Sequence, residues 1–580
     1  MEKVTLEQLK QAGEAAEWLT EEALNTLLNG YLLKGETPKE AYLRCADASS
    51  KVYRGREADY KDDFFEAIWK NWLCPASPVL SNAGTNNLQI SCYSGSSSDD
   101  LLGIMDHLKE MAALTKYGGG VGSSFDLLRP TGSVISKGGT SSGIVPFLRM
   151  LESVIEGVKQ GSSRRGAVAS YLNIKHKDAE EFINIRRATG DMSRKCQSVA
   201  FHNAITIDDE IMNQIIDGDE YYRSLWNSSM TNRVETGENY FLFQGNANKN
   251  CPDEYKGLIN QSNLCSEIMA PVTPTESFVC CLSSLNLARY DEWKDYRFPR
   301  TGLTLIELGI YFLDAVLTNF VKQTDCMEGL ENANRFARRH RMLGLGVLGW
   351  HTLLQSKFIP FESFQAMSLN NEIFSKMKHE SDKASEDLGK MFGNCEVNGK
   401  RRNTALLAIA PTMSNSLLSG GVSQGIEPLT ANIFSQKSAK GTFIKKSNEL
   451  LQFLISKKLD TVEIWEQINK DRGSVKNVKQ LSPEEKRVFL TAREINQYAL
   501  IQQAAQRQKY IDQGQSLNLF FSAPNNKQEA KEVARYMNDV HLEAWRSGVK
   551  SLYYLKTESP LKGDTLVVNK EDGSCLSCEG

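Results

Sequence analysis

The stretch Asn263-Leu264-Cys265-Ser266-Glu267 sets a thiol between an amide and a carboxylate. If this stretch is extended, Asn263, Cys265 and Glu267 share one face, because side chains alternate along a strand. That face would combine a reactive sulfur, a hydrogen-bonding amide and a general base. The alternative is a half-buried strand with a polar side, since cysteine often packs as a small hydrophobic residue.

Three further cysteines lie in apolar, strand-like runs: Cys92 in QISCYSG, and Cys280 and Cys281 in SFVCCLSSLNL. Each of them, taken alone, fits an ordinary core position. In an extended run Cys280 and Cys281 face opposite sides, so only one of them can join a given pocket.

Two more local patterns concern electron transfer. Tyr553 and Tyr554 are adjacent in SLYYLKT, a pattern that usually gives one core ring and one surface ring. Cys575 and Cys578 form a C-x-x-C pair near the C-terminus. No second pair or nearby histidine completes a zinc site, so we expect thiol–disulfide exchange and no metal bound by this chain.

Composition and charge exclude several classes of protein. The 580 residues are 41% hydrophobic and 24% charged, as in ordinary globular proteins. A formal net charge of −3 gives no reason to expect a nucleic-acid or membrane partner. The N-terminus reads as an acidic amphipathic helix and no apolar run is long enough to span a membrane. We therefore expect a cytoplasmic protein whose twelve cysteines are thiols by default.

The pattern of elements predicts three regions. Residues 1–75 show helical spacing of apolar positions and predict an N-terminal helical domain. Residues 76–556 alternate short apolar runs, glycine turns and amphipathic helices, which indicates an α/β architecture. Residues 557–580 are polar and predict a flexible C-terminal tail.

Taken together, the motifs resemble those of the large, catalytic subunit of class I ribonucleotide reductase. The match runs from about residue 30 to the C-terminus and follows the order of that family: SPVLSNAGT…ISC, GGGVG…LLRPTGS, QGSSRRGA, SNLCSEI, VCCLSSLNL, APTMSNS…GIEP, LYY and the terminal cysteine pair. The resemblance implies a ten-stranded α/β barrel of the thiyl-radical type, preceded by helices and followed by a redox tail.

The resemblance also implies a reaction, the reduction of ribonucleoside diphosphates to deoxyribonucleotides. Cys265 would carry a thiyl radical that takes the 3′-hydrogen, Glu267 would accept the 3′-OH proton, and Asn263 would hold a hydroxyl. Cys92 and Cys280 would supply the electrons and end as a disulfide. Cys280 is preferred to Cys281 because the C-x-L-S pattern of the family falls on it.

Partners follow from the same resemblance. A separate, metal-containing small subunit would supply the radical through Tyr553 and Tyr554, so this chain would bind no cofactor of its own. Cys575 and Cys578 would carry electrons into the barrel and be re-reduced by a thioredoxin- or glutaredoxin-like protein. The chain would form a homodimer.

Binding residues carried over from the family fall into two groups. The substrate group comprises Ser77, Ser91, Gly120, Pro411, Thr412, Met413, Ser414, Asn415 and Ser416, with a simple helix cap as the alternative for the run 411–416. The effector group, for dNTP or ATP at the specificity site, comprises Asp100, Lys116, Arg129 and either Arg164 or Arg165.

Fewer than about 30 residues precede the first matched helix, so we expect a short form that lacks the N-terminal ATP-cone. Two alternatives share the motifs: an adenosylcobalamin-dependent (class II) reductase, which the tyrosine pair disfavours, and a catalytically inert nucleotide-binding paralogue. A generic thiol–disulfide oxidoreductase would leave the barrel motifs unexplained.

Overall fold

The computed structural model describes residues 5–557 except 137, 159–165, 250, 253–256, 439–440 and 525. For residues 434–438 and 441–445 it describes the backbone alone. Four helices precede the first strand: α1 (Leu6–Gln11), α2 (Glu21–Leu28), α3 (Pro38–Ser50) and α4 (Glu57–Trp69). Thr37 and Glu40 form a capping box at the start of α3, which fixes where that helix begins.

Nine strands form one curled, mixed sheet. They are β1 (Leu73–Pro75), β2 (Cys92–Ser96), β3 (Gly120–Ser124), β4 (Ala167–Asn173), β5 (Phe201–Ile207), β6 (Tyr240–Phe243), β7 (Phe278–Asn286), β8 (Leu343–Leu348) and β12 (Ser551–Leu552). Two smaller pairs lie outside this sheet: β9 (Ile433–Ser438) with β10 (Gly441–Lys446), and β11 (Leu519–Phe521) with β13 (Leu555–Thr557).

The sheet is built in two halves that run antiparallel to each other. Strands β2 to β6 are parallel neighbours and form the first half. The second half starts with β7 and β8, which are parallel, and joins the first at two antiparallel edges, β2 with β7 and β6 with β12.

Two irregular segments complete the ring. Residues 405–409 bridge in parallel to β8, and residues 513–517 bridge in parallel to 405–409. Tyr553 N then donates to Leu517 O at 2.9 Å, which links the last segment to β12. With these two segments the ring has ten members, so the predicted α/β barrel is confirmed.

The remaining helices cover the barrel and the segments between its strands. They are α5 (Ser77–Asn82), α6 (Leu101–Lys116), α7 (Val145–Gly157), α8 (Ala179–Ile183), α9 (Asp209–Asp217), α10 (Glu220–Thr236), α11 (Gln244–Lys249), α12 (Tyr290–Trp293), α13 (Leu305–Thr324), α14 (Glu331–His340), α15 (Trp350–Ser356), α16 (Phe364–Phe392), α17 (Met413–Leu418), α18 (Asn448–Ser456), α19 (Val462–Lys470), α20 (Pro483–Val488), α21 (Gln497–Gln508) and α22 (Lys527–Arg546).

One large core joins the N-terminal helices to the barrel. Helix α13 is apolar on nearly every face and lies buried between them, as such a pattern requires. Tyr53, just after α3, donates its hydroxyl to Tyr311 O of α13 at 2.6 Å. Within the part of the chain that is described, no helix is both long and apolar enough to cross a lipid bilayer.

Candidate functional site

Cys265 lies in a buried turn inside the barrel and is 5% exposed. The extended conformation considered for this stretch is wrong. Ser266 has a φ of 61°, and its N–H donates to Asn263 O at 3.3 Å. The Asn263 side chain closes the turn, because its Oδ1 accepts from Glu267 N at 3.1 Å and from Ile268 N at 3.2 Å.

Asn263 keeps one polar atom for another partner. Its Nδ2 is buried and has no hydrogen-bond partner among the described residues. A buried donor without an acceptor costs about 1 to 3 kcal/mol, so this position favours a bound group with an acceptor oxygen.

The Glu267 carboxyl group lies between a thiol and a hydroxyl. Cys92 Sγ donates to Glu267 Oε1 over 4.0 Å, and Ser516 Oγ donates to Oε2 over 3.1 Å. Ser516 Oγ also lies 2.6 Å from the Cys265 carbonyl oxygen. Gly514 N donates to Glu267 O at 2.7 Å, so the segment 514–516 holds the turn from behind.

Cys92 and Cys280 are direct partners across the antiparallel edge of β2 and β7. Residues opposite each other in such a pair project to the same face, with Cβ atoms about 4.5 to 5.5 Å apart. Cys281 projects to the other face, and its pKa is raised, chiefly by burial and to a smaller extent by Cys280, Asp314 and Cys45. Cys280 is a free thiol here, and burial raises its pKa.

Tyr553 and Tyr554 are both buried, 2% and 9% exposed, with ring centroids 4.3 Å apart. The expectation of one surface ring is therefore wrong. Tyr240 of β6, which sequence reasoning missed, is a third ring, 4.7 Å from Tyr553 and 5.0 Å from Tyr554. Ser551 Oγ donates to Ser266 O at 2.6 Å and so ties the strand before the tyrosines to the Cys265 turn.

The run 411–416 is not a simple helix cap. Thr412 has a φ of 53° and makes no side-chain cap bond to α17. Its Oγ1 accepts from Gly425 N at 2.7 Å and lies 3.2 Å from Ser416 Oγ. Asn415 Nδ2 donates to Pro75 O at 3.1 Å, so these groups shape the loop, whereas Pro411, Met413 and Ser414 are half-buried.

Ser77 is the first residue of α5 and Ser91 directly precedes β2; both side chains are buried. Ser77 Oγ is 2.8 Å from Tyr31 Oη, and Ser91 Oγ is 3.7 Å from Cys92 Sγ. Of the two serines, Ser91 is therefore the one that lies beside Cys92.

The glycines of β3 are required by the Cys265 turn. A Cβ at Gly120 would lie 2.8 Å from Leu264 Cδ2, and a Cβ at Gly122 would lie 1.8 Å from Ser262 O. The group that lies closest to the Cβ position of Gly120, a predicted substrate residue, is thus the protein's own turn.

Of the three described effector candidates, Asp100 and Arg129 lie near each other, whereas Lys116 lies far from both within one chain. Asp100 caps α6 by accepting from Gly103 N at 2.9 Å, and Arg129 pairs with the neighbouring Asp99 at 2.8 Å. Lys116 is at the other end of α6, about 24 Å away along the helix. The predicted residues Arg164, Arg165, Cys575 and Cys578 lie outside the described residues.

Gln513 and Ser516 are functional-site residues that sequence reasoning missed. Gln513 Nε2 donates to Cys280 Sγ at 3.4 Å, and Ser516 contacts Glu267 as described. The polar run DQGQS between an amphipathic helix and an apolar strand was the available signal.

Family models match nearly the whole chain. The model described as "Ribonucleotide reductase, all-alpha domain" matches residues 17–87. The model described as "Ribonucleotide reductase, barrel domain" matches residues 90–224, 221–401 and 396–555.

Curated proteins and a solved structure agree with the family models. The chain is 33% identical, over 92% of its length and 94% of the relative, to a putative ribonucleoside-diphosphate reductase large subunit of Frog virus 3. It is 30% identical, over 96% of its length and 98% of the relative, to the ribonucleoside-diphosphate reductase large subunit of Invertebrate iridescent virus 3. The class Id ribonucleotide reductase alpha subunit of Actinobacillus ureae superposes with a TM-score of 0.84 at 39% identity, covering 94% of this chain and 98% of that one.

Proposed function

The chain belongs to the ribonucleotide reductase large-subunit family and is a catalytic subunit for ribonucleotide reduction, and we propose that its chemistry runs through a thiyl radical on Cys265. As in class I enzymes, the radical comes from a separate subunit. The observation that carries the proposal is the buried turn itself, which contains Cys265 and brings Glu267 Oε1 within 4.0 Å of the sulfur of Cys92, the residue opposite Cys280.

The reduction is assigned to these groups as follows. The Cys265 radical takes the 3′-hydrogen of the ribose, and Glu267 takes the 3′-OH proton, which weakens the C2′–O bond. Asn263 Nδ2, the buried amide without a partner among the described residues, donates to a ribose hydroxyl. Cys92 and Cys280 give two electrons and two protons, so that the 2′-OH leaves as water, C2′ gains a hydrogen and the two sulfurs end as a disulfide. The 3′-hydrogen then returns from Cys265, which regenerates the radical, and Glu267 returns its proton to the 3′-oxygen.

Tyr553 and Tyr554 are proposed to carry the electron between Cys265 and the radical-generating subunit. Their ring contact of 4.3 Å and their burial support this role. The strand just before them is bonded to the Cys265 turn through Ser551, which holds the pair at a fixed position relative to the sulfur.

Re-reduction of the disulfide is assigned to Cys575 and Cys578 in the C-terminal region 557–580. Cys92 and Cys280 are buried inside the barrel, so a folded reductant cannot reach them directly. The terminal pair would exchange with them and then be reduced by a thioredoxin- or glutaredoxin-like protein.

A ribonucleoside diphosphate is the proposed substrate, with its phosphates at the loop 411–416. Effector nucleotides are assigned to Asp100, Arg129, Lys116 and either Arg164 or Arg165. Lys116 fits this set only in a homodimer, where antiparallel contact of two α6 helices would bring Lys116 of the partner subunit near Asp100. Leu101 and Leu102 on α6, 63% and 75% exposed, support such a contact.

The test is a turnover assay with the small subunit, comparing wild type with Cys265→Ser and Tyr553→Phe. Both variants should lose at least ~10³-fold in turnover while still binding nucleotide, because each removes a side chain that is proposed to carry the unpaired electron. Wild-type turnover by either variant would contradict the radical route.

Two adjacent cysteines provide a matched control. Cys280→Ser should abolish repeated turnover, whereas Cys281→Ser, on the opposite face of β7, should leave it near wild type. The reverse result would show that the reducing pair has been assigned to the wrong thiol.

A further inference from the structure

Gln513 is bonded to one thiol of the reducing pair. Its Nε2 donates to Cys280 Sγ at 3.4 Å and to Leu343 O at 2.8 Å. Its Oε1 accepts from Met269 N at 3.2 Å, which fixes which end of the amide faces the sulfur. Both N–H hydrogens are therefore directed, one to a carbonyl and one to Cys280.

The two thiols of the pair have different polar groups in direct contact. Cys92 Sγ faces the carboxyl group of Glu267, and a carboxylate beside a sulfur disfavours a thiolate. Cys280 Sγ faces an amide N–H, which favours the thiolate there. Burial has the largest effect on Cys280 and raises its pKa; the Gln513 bond lowers the pKa, and Glu267 raises it to a smaller extent.

We propose that Gln513 is a positioning residue that makes Cys280 the leaving group when the active-site disulfide is reduced. The incoming thiolate then attacks Cys92. A bond forms between the attacking sulfur and Cys92 Sγ, the Cys92–Cys280 bond breaks, and its electron pair leaves on Cys280 Sγ, stabilised by the Gln513 N–H.

A second thiolate completes the step. It attacks the external sulfur of the mixed disulfide, Cys92 leaves as a thiolate, and the two external sulfurs end as a disulfide. Two electrons pass from the external thiols to Cys92 and Cys280, and each of these takes a proton. This order rests on the proposed reducing role of Cys92 and Cys280.

The first test locates the mixed disulfide. Full-length protein with Cys575→Ser and Cys578→Ser is oxidised with diamide, treated with 2-mercaptoethanol, quenched with acid, alkylated and mapped by peptide mass spectrometry. The adduct should be found on Cys92, with Cys280 alkylated. An adduct on Cys280, or an equal division between the two, would overturn the proposal.

The second test measures the rate of this reduction in two matched variants. Gln513→Met should slow it about tenfold, the effect of losing one hydrogen bond to a charged leaving group. Gln515→Met is the control, because Gln515 is an equally buried neighbour whose amide bonds Ala504 O and Gln508 instead of sulfur. An unchanged rate in Gln513→Met, or equal slowing in both variants, would overturn the proposal.

Failure of the proposed function would give a different result from failure of the leaving-group proposal. If turnover of the intact enzyme left Cys92 and Cys280 as thiols, their role as the reducing pair would fall. The diamide-generated disulfide would still report which sulfur leaves, because that measurement needs neither substrate nor small subunit.

Discussion

At the scale of single residues, Ser516 contacts both Cys265 and Glu267 of the turn. Its one hydroxyl hydrogen is shared between the Glu267 carboxyl group and the Cys265 carbonyl oxygen. We expect Ser516→Ala to lower kcat about tenfold with little change in KM, because the hydroxyl positions the base and is not assigned to the substrate. Steady-state kinetics with the small subunit measure this.

Ser283→Ala is the matched control for Ser516→Ala. Ser283 is a buried serine of β7 whose hydroxyl bonds the carbonyl of its neighbour Leu282. Equal losses of kcat in the two variants would mean that the effect of Ser516→Ala is one of packing.

Glu427 makes the free energy of unfolding depend on pH. Burial raises its pKa from 4.5 to about 7, against smaller lowering effects of Lys556 and Asn518. Between pH 4.5 and about 7 the unfolded carboxyl group ionises while the folded one stays protonated. Stability therefore falls as pH rises through this window, and the cost is fully present above it.

We expect Glu427→Gln to be more stable than wild type at pH 8, by on the order of 3 kcal/mol, and little different below about pH 5. The neutral amide keeps an oxygen for Asn518 Nδ2, which donates to Glu427 Oε1 at 2.6 Å. Urea denaturation at the two pH values measures the gap. An equal difference in stability between Glu427→Gln and wild type at both pH values would contradict the raised pKa of Glu427 as the cause.

At the scale of elements, β3 is shaped to accept the Cys265 turn. Gly122→Ala should destabilise the protein by several kcal/mol and abolish turnover, because its Cβ would overlap the Ser262 carbonyl, which is backbone and cannot swing away. Gly120→Ala should cost less, since it meets the flexible end of Leu264. Thermal unfolding and turnover measure both effects.

Gly157→Ala is the control for the β3 variants. Gly157 ends α7 and has open space around its Cβ position, so the change should be neutral or slightly stabilising. Wild-type turnover in Gly122→Ala would show that the turn tolerates displacement from β3.

The elements also show what a sequence can and cannot reveal. Alternation along a strand predicted that Cys280 and Cys281 face opposite ways, because that geometry depends only on local backbone. The turn at 263–267 was not predicted, because it forms when one side chain, Asn263, bonds two backbone N–H groups further along. Likewise the polar run DQGQS marks Gln513 and Ser516 as unusual, but their contacts with Cys280 and Glu267 form through tertiary closure and cannot be read from the local pattern.

At the scale of the whole molecule, the exposed apolar part of α6 is the proposed dimer contact. Leu102→Glu should shift the protein to a monomer and weaken nucleotide effector binding, because the charge would be buried in the apolar part of the contact. Sedimentation and effector titration measure this. Phe364→Glu, at an 85% exposed position on α16, should change neither; a dimer that survives Leu102→Glu would place the contact elsewhere.

The order of motifs predicted the family and hence the barrel, whereas composition and periodicity alone predicted only an α/β fold. The reason is that two of the ten ring members, 405–409 and 513–517, are irregular and join their neighbours through isolated bridges. Their place in the ring is set by the strands on either side.

The supports of the Cys265 turn come late in the chain. Gly514, Ser516 and Ser551 bond to the turn across about 250 to 285 residues of sequence. During synthesis the ribosome must therefore release almost the entire polypeptide before the sulfur reaches its working position. A nascent or prematurely terminated chain would carry Cys265 without the groups that hold its turn in place, and so would be inactive in the proposed reduction.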